Sequence, residues 1–448
     1  MNKILILADD LTGANDTGAA ISQLGWSTCS VVNDRIRPPR LEEYSCVSVN
    51  LDSRSLEAEA AYQKVMEAAG RFADPGIALY SKRIDSTLRG NLGAECDALL
   101  DYLSDKYKDQ NVHKEWAAMI VPAFPQAGRT YEDDVLYVNG VPLAQTAAAR
   151  DPKRPVRTSS ALEIFRSQSG RETEVVSLET VRGDKKQILS EVEKQWERGV
   201  RNILFEAVTQ EDIEHIAQSL LECSFPFIAA DPGSFTAALT AARFGSGTEG
   251  REFEKKELAG DKILAVIGSV NDVAKAQAAR LLKRPDVGWV VLDVEKILEN
   301  SCLCGEHMRQ AAAELVKIKD QKKISALLFS SSVEKEHVSL DRFKERDHTT
   351  LEQLCEKINQ SIAYIAAEAV NEGGFGGIFT TGGDITVAVC TALDAGGIRI
   401  EREILPLAVG GRIHLHNGKE ICIATKGGMI GDEHAACSCI EYLLERLK

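Results

Sequence analysis

Lys3-Ile4-Leu5-Ile6-Leu7-Ala8-Asp9-Asp10-Leu11-Thr12-Gly13-Ala14 runs an unbroken apolar stretch into two adjacent carboxylates and then a glycine. A short apolar run without polar alternation is the pattern of a strand covered on both faces, as in a parallel sheet. The aspartates then stand where the strand ends and a helix begins near residue 14, with Gly13 relaxing the turn. Ligands of open α/β sheets collect outside the carboxyl ends of the strands. A carboxylate in that place accepts sugar hydroxyls or takes up a proton, and one of the two is expected to cap the helix. A haloacid-dehalogenase-type phosphatase also follows its first strand with aspartates, but needs them one residue apart. Adjacent residues of an extended chain point to opposite faces, so Asp9-Asp10 counts against that chemistry.

The same signal recurs along the chain. Apolar runs at 29–32, 46–49, 77–80, 119–121, 203–205 and 227–230 read as further strands, with helical stretches at 18–24, 56–70, 94–107, 185–198 and 212–223. Such alternation predicts an α/β fold with a mostly parallel sheet. The polar, glycine-rich and charged stretch 245–257 interrupts it and reads as a linker. A second alternation follows, with strands at 263–267, 289–292, 326–329 and 378–380 and helices at 274–282, 306–317, 351–371 and 385–393. Residues 398–405, 412–416 and 420–424 alternate apolar with polar, as an antiparallel ribbon does, before a last helix over 433–447. The expectation is two α/β domains, 1–244 and 262–448, joined by a linker over 245–261, the second domain carrying the added ribbon. That ribbon is a candidate surface for pairing with a second copy in a homodimer.

Composition narrows the function classes. The 448 residues are 44% hydrophobic and 27% charged, ordinary for a globular chain of two or more domains. A net charge of -14 excludes a general nucleic-acid binder, which needs a basic surface to release counterions. The 11 cysteines form no framework. Cys302-x-Cys304 with His307, and Cys437-x-Cys439 with His434, have one residue between cysteines where a zinc knuckle has two, so reduced thiols are expected. The apolar N-terminal run is too short for a signal segment, and no stretch approaches the roughly twenty apolar residues of a membrane span. A cytoplasmic protein without membrane partners is expected. Residues 245–250 match G-x-G-x-x-G but follow a helical run rather than a strand, which argues against nicotinamide binding by a dehydrogenase.

Two more segments lie at predicted strand ends. Lys82 to Gly90 packs three cations, one carboxylate and two hydroxyls into nine positions after the strand 77–80, and Asp52-Ser53-Arg54 follows the strand 46–49. A polyol carboxylate calls for this mixture of cations for the acid and donors or acceptors for the hydroxyls.

Ala8-Asp-Asp-Leu-Thr-Gly-Ala14, Asp52-Ser-Arg54 and Asp85-Ser-Thr-Leu-Arg-Gly90 closely resemble the four-carbon acid sugar kinase family. Pro122-Ala-Phe-Pro125, Gly128-Arg-Thr130, Val138-Asn-Gly-Val-Pro-Leu143 and Asp151-Pro152 continue the resemblance in order, over nearly the whole chain. The resemblance implies ATP-dependent phosphorylation of the terminal hydroxyl of threonate, erythronate or 3-oxo-tetronate. It implies sugar-acid contacts from Asp10, Arg54, Lys82, Arg83, Ile84 and Asp85, and the same segments offer Asp9, Ser86 and Arg89 as further candidates. Asp10 or Asp85 would take the hydroxyl proton, and Arg54, Lys82 and Arg89 would bind the carboxylate or screen the phosphoryl group.

No Gly-x4-Gly-Lys-Ser/Thr loop occurs, so ATP with its Mg2+ needs other amide-rich turns. Three follow predicted strands of the second domain: Gly268-Ser269-Val270, Thr380-Thr381-Gly382-Gly383-Asp384 and Thr425-Lys426-Gly427-Gly428. The family pattern near the last turn has a hydroxyl residue and a Phe-Gly pair, whereas this chain reads Lys426-Gly-Gly-Met-Ile-Gly431. It also reads Pro406-Leu-Ala-Val-Gly410 where the family has Pro-Gly. The expected arrangement sets the sugar acid on the first domain and Mg-ATP on the second, across a cleft that closes. The altered turns leave a second expectation standing: a regulatory protein of this family that binds the sugar acid without turning it over.

Overall fold

The computed structural model describes residues 2–34, 36–108, 115–151, 154–247, 257–268, 271–299, 301–329 and 339–448, the side chains of 301–304 excepted. Two compact units emerge, one from the described residues of Met1–Asp34 and Arg40–Arg251, the other from those of Arg35–Pro39 and Glu252–Lys448. Ser269, Val270, Pro152 and the expected linker between 248 and 256 lie outside the described residues.

The first unit is built on parallel strands in the order Thr28–Val31, Cys46–Asn50, Lys3–Ala8, Ile77–Arg83, Phe227–Asp231, Ala117–Ile120, Asn202–Phe205, Thr173–Val176. Lys3–Ala8 is central and apolar because helices cover both its faces. Ile4, Leu5, Ile6 and Leu7 are at most 1% exposed, and each such side chain contributes about 1.5–3 kcal/mol by leaving water. The chain reaches the neighbours on one side of this strand before crossing to Ile77–Arg83 on the other. In open α/β sheets ligands bind at the carboxyl ends of the strands beside such a reversal of strand order.

Two boundaries differ from the sequence reading. The strand expected over 77–80 continues to Arg83, because Ser81, Lys82 and Arg83 pair in register with Ile6, Leu7 and Ala8. Apolar content marks strand interiors, and these polar residues find buried partners instead. The first helix begins at Leu11 rather than near residue 14. Gly13 therefore sits in a helical turn, and its missing side chain makes room for Arg83, whose guanidinium a Cβ would overlap. The small antiparallel sheet Arg129–Glu132, Val135–Val138, Val141–Pro142, the helix Ala161–Gln168 and the strand Thr173–Val176 carry too short or too polar a pattern to stand out in the sequence.

The second unit places Val287–Leu292, Ile324–Phe329, Gly260–Ile267, Gly374–Thr381 and Glu420–Lys426 side by side, all parallel. Ala408–His414 then joins antiparallel to Glu420–Lys426, and Gly397–Leu405 antiparallel to it, which is the ribbon the alternating sequence predicted. The α/β class with mostly parallel sheets holds, and no described helix is long and apolar enough to cross a membrane.

Gly260–Ile267 and Gly374–Thr381 approach closely where glycines face each other: a Cβ on Gly376 would penetrate the Gly260 carbonyl. Backbone cannot yield as a flexible side chain can. Gly376→Ala is expected to cost this unit about 2 kcal/mol, measured by urea unfolding. An unchanged midpoint would contradict the tight pairing.

Candidate functional site

At the carboxyl end of Lys3–Ala8 the expected residues come together. Asp10 caps the helix Leu11–Gln23, its Oδ1 accepting from the Gly13 amide at 2.7 Å. Asp9 points instead into the protein, with its side chain only 4% exposed. Arg54 reaches from beyond the neighbouring strand Cys46–Asn50 and serves three carboxylates at once. Its Nε meets Asp9 at 2.7 Å, Nη1 meets Asp10 at 2.8 Å and Nη2 meets Asp85 at 3.4 Å. Arg83 adds longer contacts to Asp9 and Asp10, at 3.4 and 3.7 Å.

Asp85, just beyond the strand Ile77–Arg83, is 6% exposed and accepts from Thr87 at 2.6 Å and from Arg89 Nε at 2.7 Å. Arg89 also donates to Asp151 at 2.9 Å. Burial alone would raise the Asp85 carboxyl, but the Arg54 and Arg89 charges outweigh it and hold the group well below the usual carboxylate range. Asp9 is likewise lowered against its burial, by Arg54 and Arg83. Both are fixed acceptors. Asp10, 28% exposed, is the most open of the carboxylates on Arg54.

Lys82 departs from the expectation of a cation open to substrate. Its side chain is fully buried in the strand, with its ammonium bound to Glu95 at 2.6 Å and to the Leu7 and Arg83 carbonyls. Ile84 is core, its amide donating to the Asp231 carbonyl, and Ser86 is buried beside it. Glu95 and Asp151 escaped the sequence reading as partners. Glu95 did leave a signal, a lone acid in line with Leu92, Leu99 and Leu103 on the buried face of the helix Leu92–Tyr107.

Within the second unit the three glycine turns also converge. Ile267, Thr381 and Lys426 lie in one register row at adjacent strand ends. Gly268 packs so closely on Ile385 that a Cβ would overlap its side chain, and the Gly382 amide donates to the Lys426 carbonyl. Gly382, at φ 100°, leads into the helix Gly383–Ala392, which no side chain caps. Its first amides are therefore open to an anion. Thr381 is 2% exposed, and its hydroxyl makes no hydrogen bond among the described residues. Lys426, expected beyond the last strand, ends it; its buried ammonium touches the Gly427 carbonyl. Gly428 is half-buried and Asp384 exposed in the first helical turn. Among the described residues, an unbonded hydroxyl, a helix start that no side chain caps and a lysine that meets no carboxylate suit a polyphosphate. No group of three or more His, Cys, Asp or Glu able to hold a metal exists among the described residues, those near Cys437 and Cys439 included.

A family model described as a sugar-binding N-terminal domain matches residues 4–239, and one described as a nucleotide-binding C-terminal domain matches 264–436. A D-erythronate kinase of Heliobacterium modesticaldum is 33% identical over 100% of this chain and 98% of its own. The chain belongs to the four-carbon acid sugar kinase family. A second member, a D-threonate kinase of Salmonella typhimurium, is 29% identical over 99% of both chains. The crystal structure of a Haemophilus influenzae protein shares the fold, with a TM-score of 0.72 at 21% identity over 98% of this chain and 100% of that one.

The aspartate–arginine cluster stores stability in its ion pairs. Because the folded Asp85 titrates below the ordinary value of 3.8, its contribution is complete above that pH and is lost on further acidification. Asp85→Asn is expected to lower stability by about 3 kcal/mol near neutrality. Urea midpoints of variant and wild type should keep a constant gap down to about pH 4 and converge below it. A gap that widens in acid would contradict the pairing.

Proposed function

We propose that this chain is an ATP-dependent kinase that phosphorylates the terminal hydroxyl of a four-carbon sugar acid of the erythronate, threonate or 3-oxo-tetronate type. The observation that carries the reading is Arg54 shared by Asp9, Asp10 and Asp85 at the carboxyl ends of neighbouring strands. It gives a polyol several fixed acceptors, in a chain whose near-full-length relatives are named as kinases of such acids. Phosphoryl transfer asks for positioning and charge neutralisation more than for covalent chemistry.

Asp10 is the base in this reading. Asp9 and Asp85 are almost wholly enclosed, at 4% and 6% exposure, whereas Asp10 at 28% remains open to a substrate hydroxyl. Its Oδ1 stays on the Gly13 amide, so the carboxylate is oriented before substrate arrives. Arg83, Arg89, Ile84 and Ser86 shape the walls, and Lys82 acts from beneath by tying the strands to Glu95. ATP, as co-substrate, supplies the phosphoryl group. Thr381, Gly382, Gly383, Gly427 and Gly428 offer hydroxyl and amides to its phosphates, Lys426 offers charge, and Asp384 is available to the Mg2+ the nucleotide carries. Ser269 keeps the phosphate role its sequence position suggests.

A coupled ADP-release assay over D-erythronate, D-threonate and their 3-oxo relatives tests the activity. Turnover of at least one acid is expected, with Asp10→Asn lowering kcat by about 100-fold or more. No turnover of any acid would sink the kinase reading, and an unimpaired Asp10→Asn would sink the base.

Burial pushes the Lys426 ammonium down to about 8. The amine is charged below that pH and neutral above it, so the KM for ATP should rise as pH climbs through about 8. Lys426→Arg should remove the inflection, since arginine keeps its charge. A KM that falls across the same interval would refute a phosphate role for Lys426.

A further inference from the structure

The cations expected to greet an acid are already committed. Arg54 faces three aspartates, Arg83 faces Asp9 and Asp10, and Arg89 is divided between Asp85 and Asp151. Lys82 is sealed against Glu95. Four carboxylates, Asp9, Asp10, Asp85 and Asp151, thus stand against three guanidiniums, leaving one negative charge in excess. Such a cluster binds hydroxyls well and repels an anion.

Arg129 differs from these. It begins the strand Arg129–Glu132 and lies close enough to Asp85 and Arg89 for both charges to act on it. Among the described residues no carboxylate stands within ion-pair distance of it. Its Nη1 donates to the Ala127 carbonyl, while its Nε, like that of Arg83, is buried without a hydrogen bond among the described residues. A buried guanidinium nitrogen left unpaired is costly. Burial pulls its pKa below the arginine value, whereas Arg54 and Arg89 beside their carboxylates are pushed above it. The backbone is pinned: Phe124 and Arg129 exchange amide–carbonyl bonds at 2.9 and 3.0 Å across the turn Pro125–Ala127, and Gly128 supplies its left-handed residue at φ 73°. The guanidinium is therefore presented from a fixed turn that follows the strand Ala117–Ile120 of the same parallel sheet.

We propose that Arg129 receives the carboxylate of the sugar acid and makes the site select an acid over a neutral polyol. The assignment rests on the sugar-acid reading above and adds the group that recognises the acid end. A planar fork with a free Nε offers a carboxylate two parallel hydrogen bonds. The hydroxyl end is then left to Asp10, and the two ends of the substrate are held by groups of opposite charge.

Calorimetric binding of D-erythronate and of neutral erythritol, with steady-state KM and kcat for the acid, would test this in wild type, Arg129→Gln and Arg129→Lys. Arg129→Gln should weaken the acid about 10- to 100-fold in Kd and KM, with a smaller change in kcat. The preference for acid over polyol should fall in the same proportion. Arg129→Lys should lie between, because it keeps the charge and loses the fork; it also stands in for Arg129→Gln should that variant melt early. Arg198→Gln, on a surface pair with Glu174, should leave the preference alone. Acid binding undiminished in Arg129→Gln, or acid and polyol weakened equally, would overturn the assignment while leaving the kinase reading intact. Wild-type protein that binds no four-carbon acid would overturn both.

Discussion

The first unit is organised around one guanidinium. Arg54 spans from the end of one strand to carboxylates at the ends of two others, Asp9 and Asp10 after Lys3–Ala8 and Asp85 after Ile77–Arg83. Three aspartates this close repel one another strongly where burial lowers the dielectric. A guanidinium shared among them, with Arg83 and Arg89 alongside, offsets that repulsion and ties three strand ends together. Each carboxylate keeps lone pairs beyond the one given to Arg54, and those make the strand ends an acceptor surface.

Beneath that surface lies a second, dry ion pair. Lys82 and Glu95 join the centre of the sheet to the helix Leu92–Tyr107, with two carbonyls completing the ammonium's shell. Burying two charges repays little in stability compared with apolar packing. Its value here is positional, since the ammonium holds Leu7 and Arg83 on adjacent strands directly under Asp9 and Asp85. Gly13 serves the same end by yielding its side-chain volume to the Arg83 guanidinium.

In the second unit, two of the departures from the family pattern fall at an exposed residue and in a hairpin turn. Met429 is exposed, and the turn around it is held through its backbone, with Gln277 donating to the Ile430 and Asp432 carbonyls. Pro406 and Leu407 form the hairpin between two antiparallel strands, where Leu407 takes a left-handed conformation. The contacts that join the glycine turns, Gly268 on Ile385 and Gly382 on Lys426, use residues that the altered sequence retains.

The alternation of apolar runs with helical periods made the α/β class legible, because burial on both faces writes a strand as an uninterrupted hydrophobic word. The acidic turn, Arg54 and the Asp85–Arg89 segment were legible as a candidate site, and they do cluster, because charged residues at strand ends have few purely structural reasons to gather. Strand length was not, since Lys82 and Arg83 read as loop until their partners, one from a helix and the others from a neighbouring strand, are seen to enclose them. Nor could the sequence tell a committed cation from an available one. Residue type and order determined that this chain carries four arginines and a lysine in the segments that meet its carboxylates. Only the tertiary structure decided that Arg54, Lys82, Arg83 and Arg89 are already paired while Arg129 meets no carboxylate among the described residues, because pairing depends on distances of a few ångströms between segments far apart along the chain.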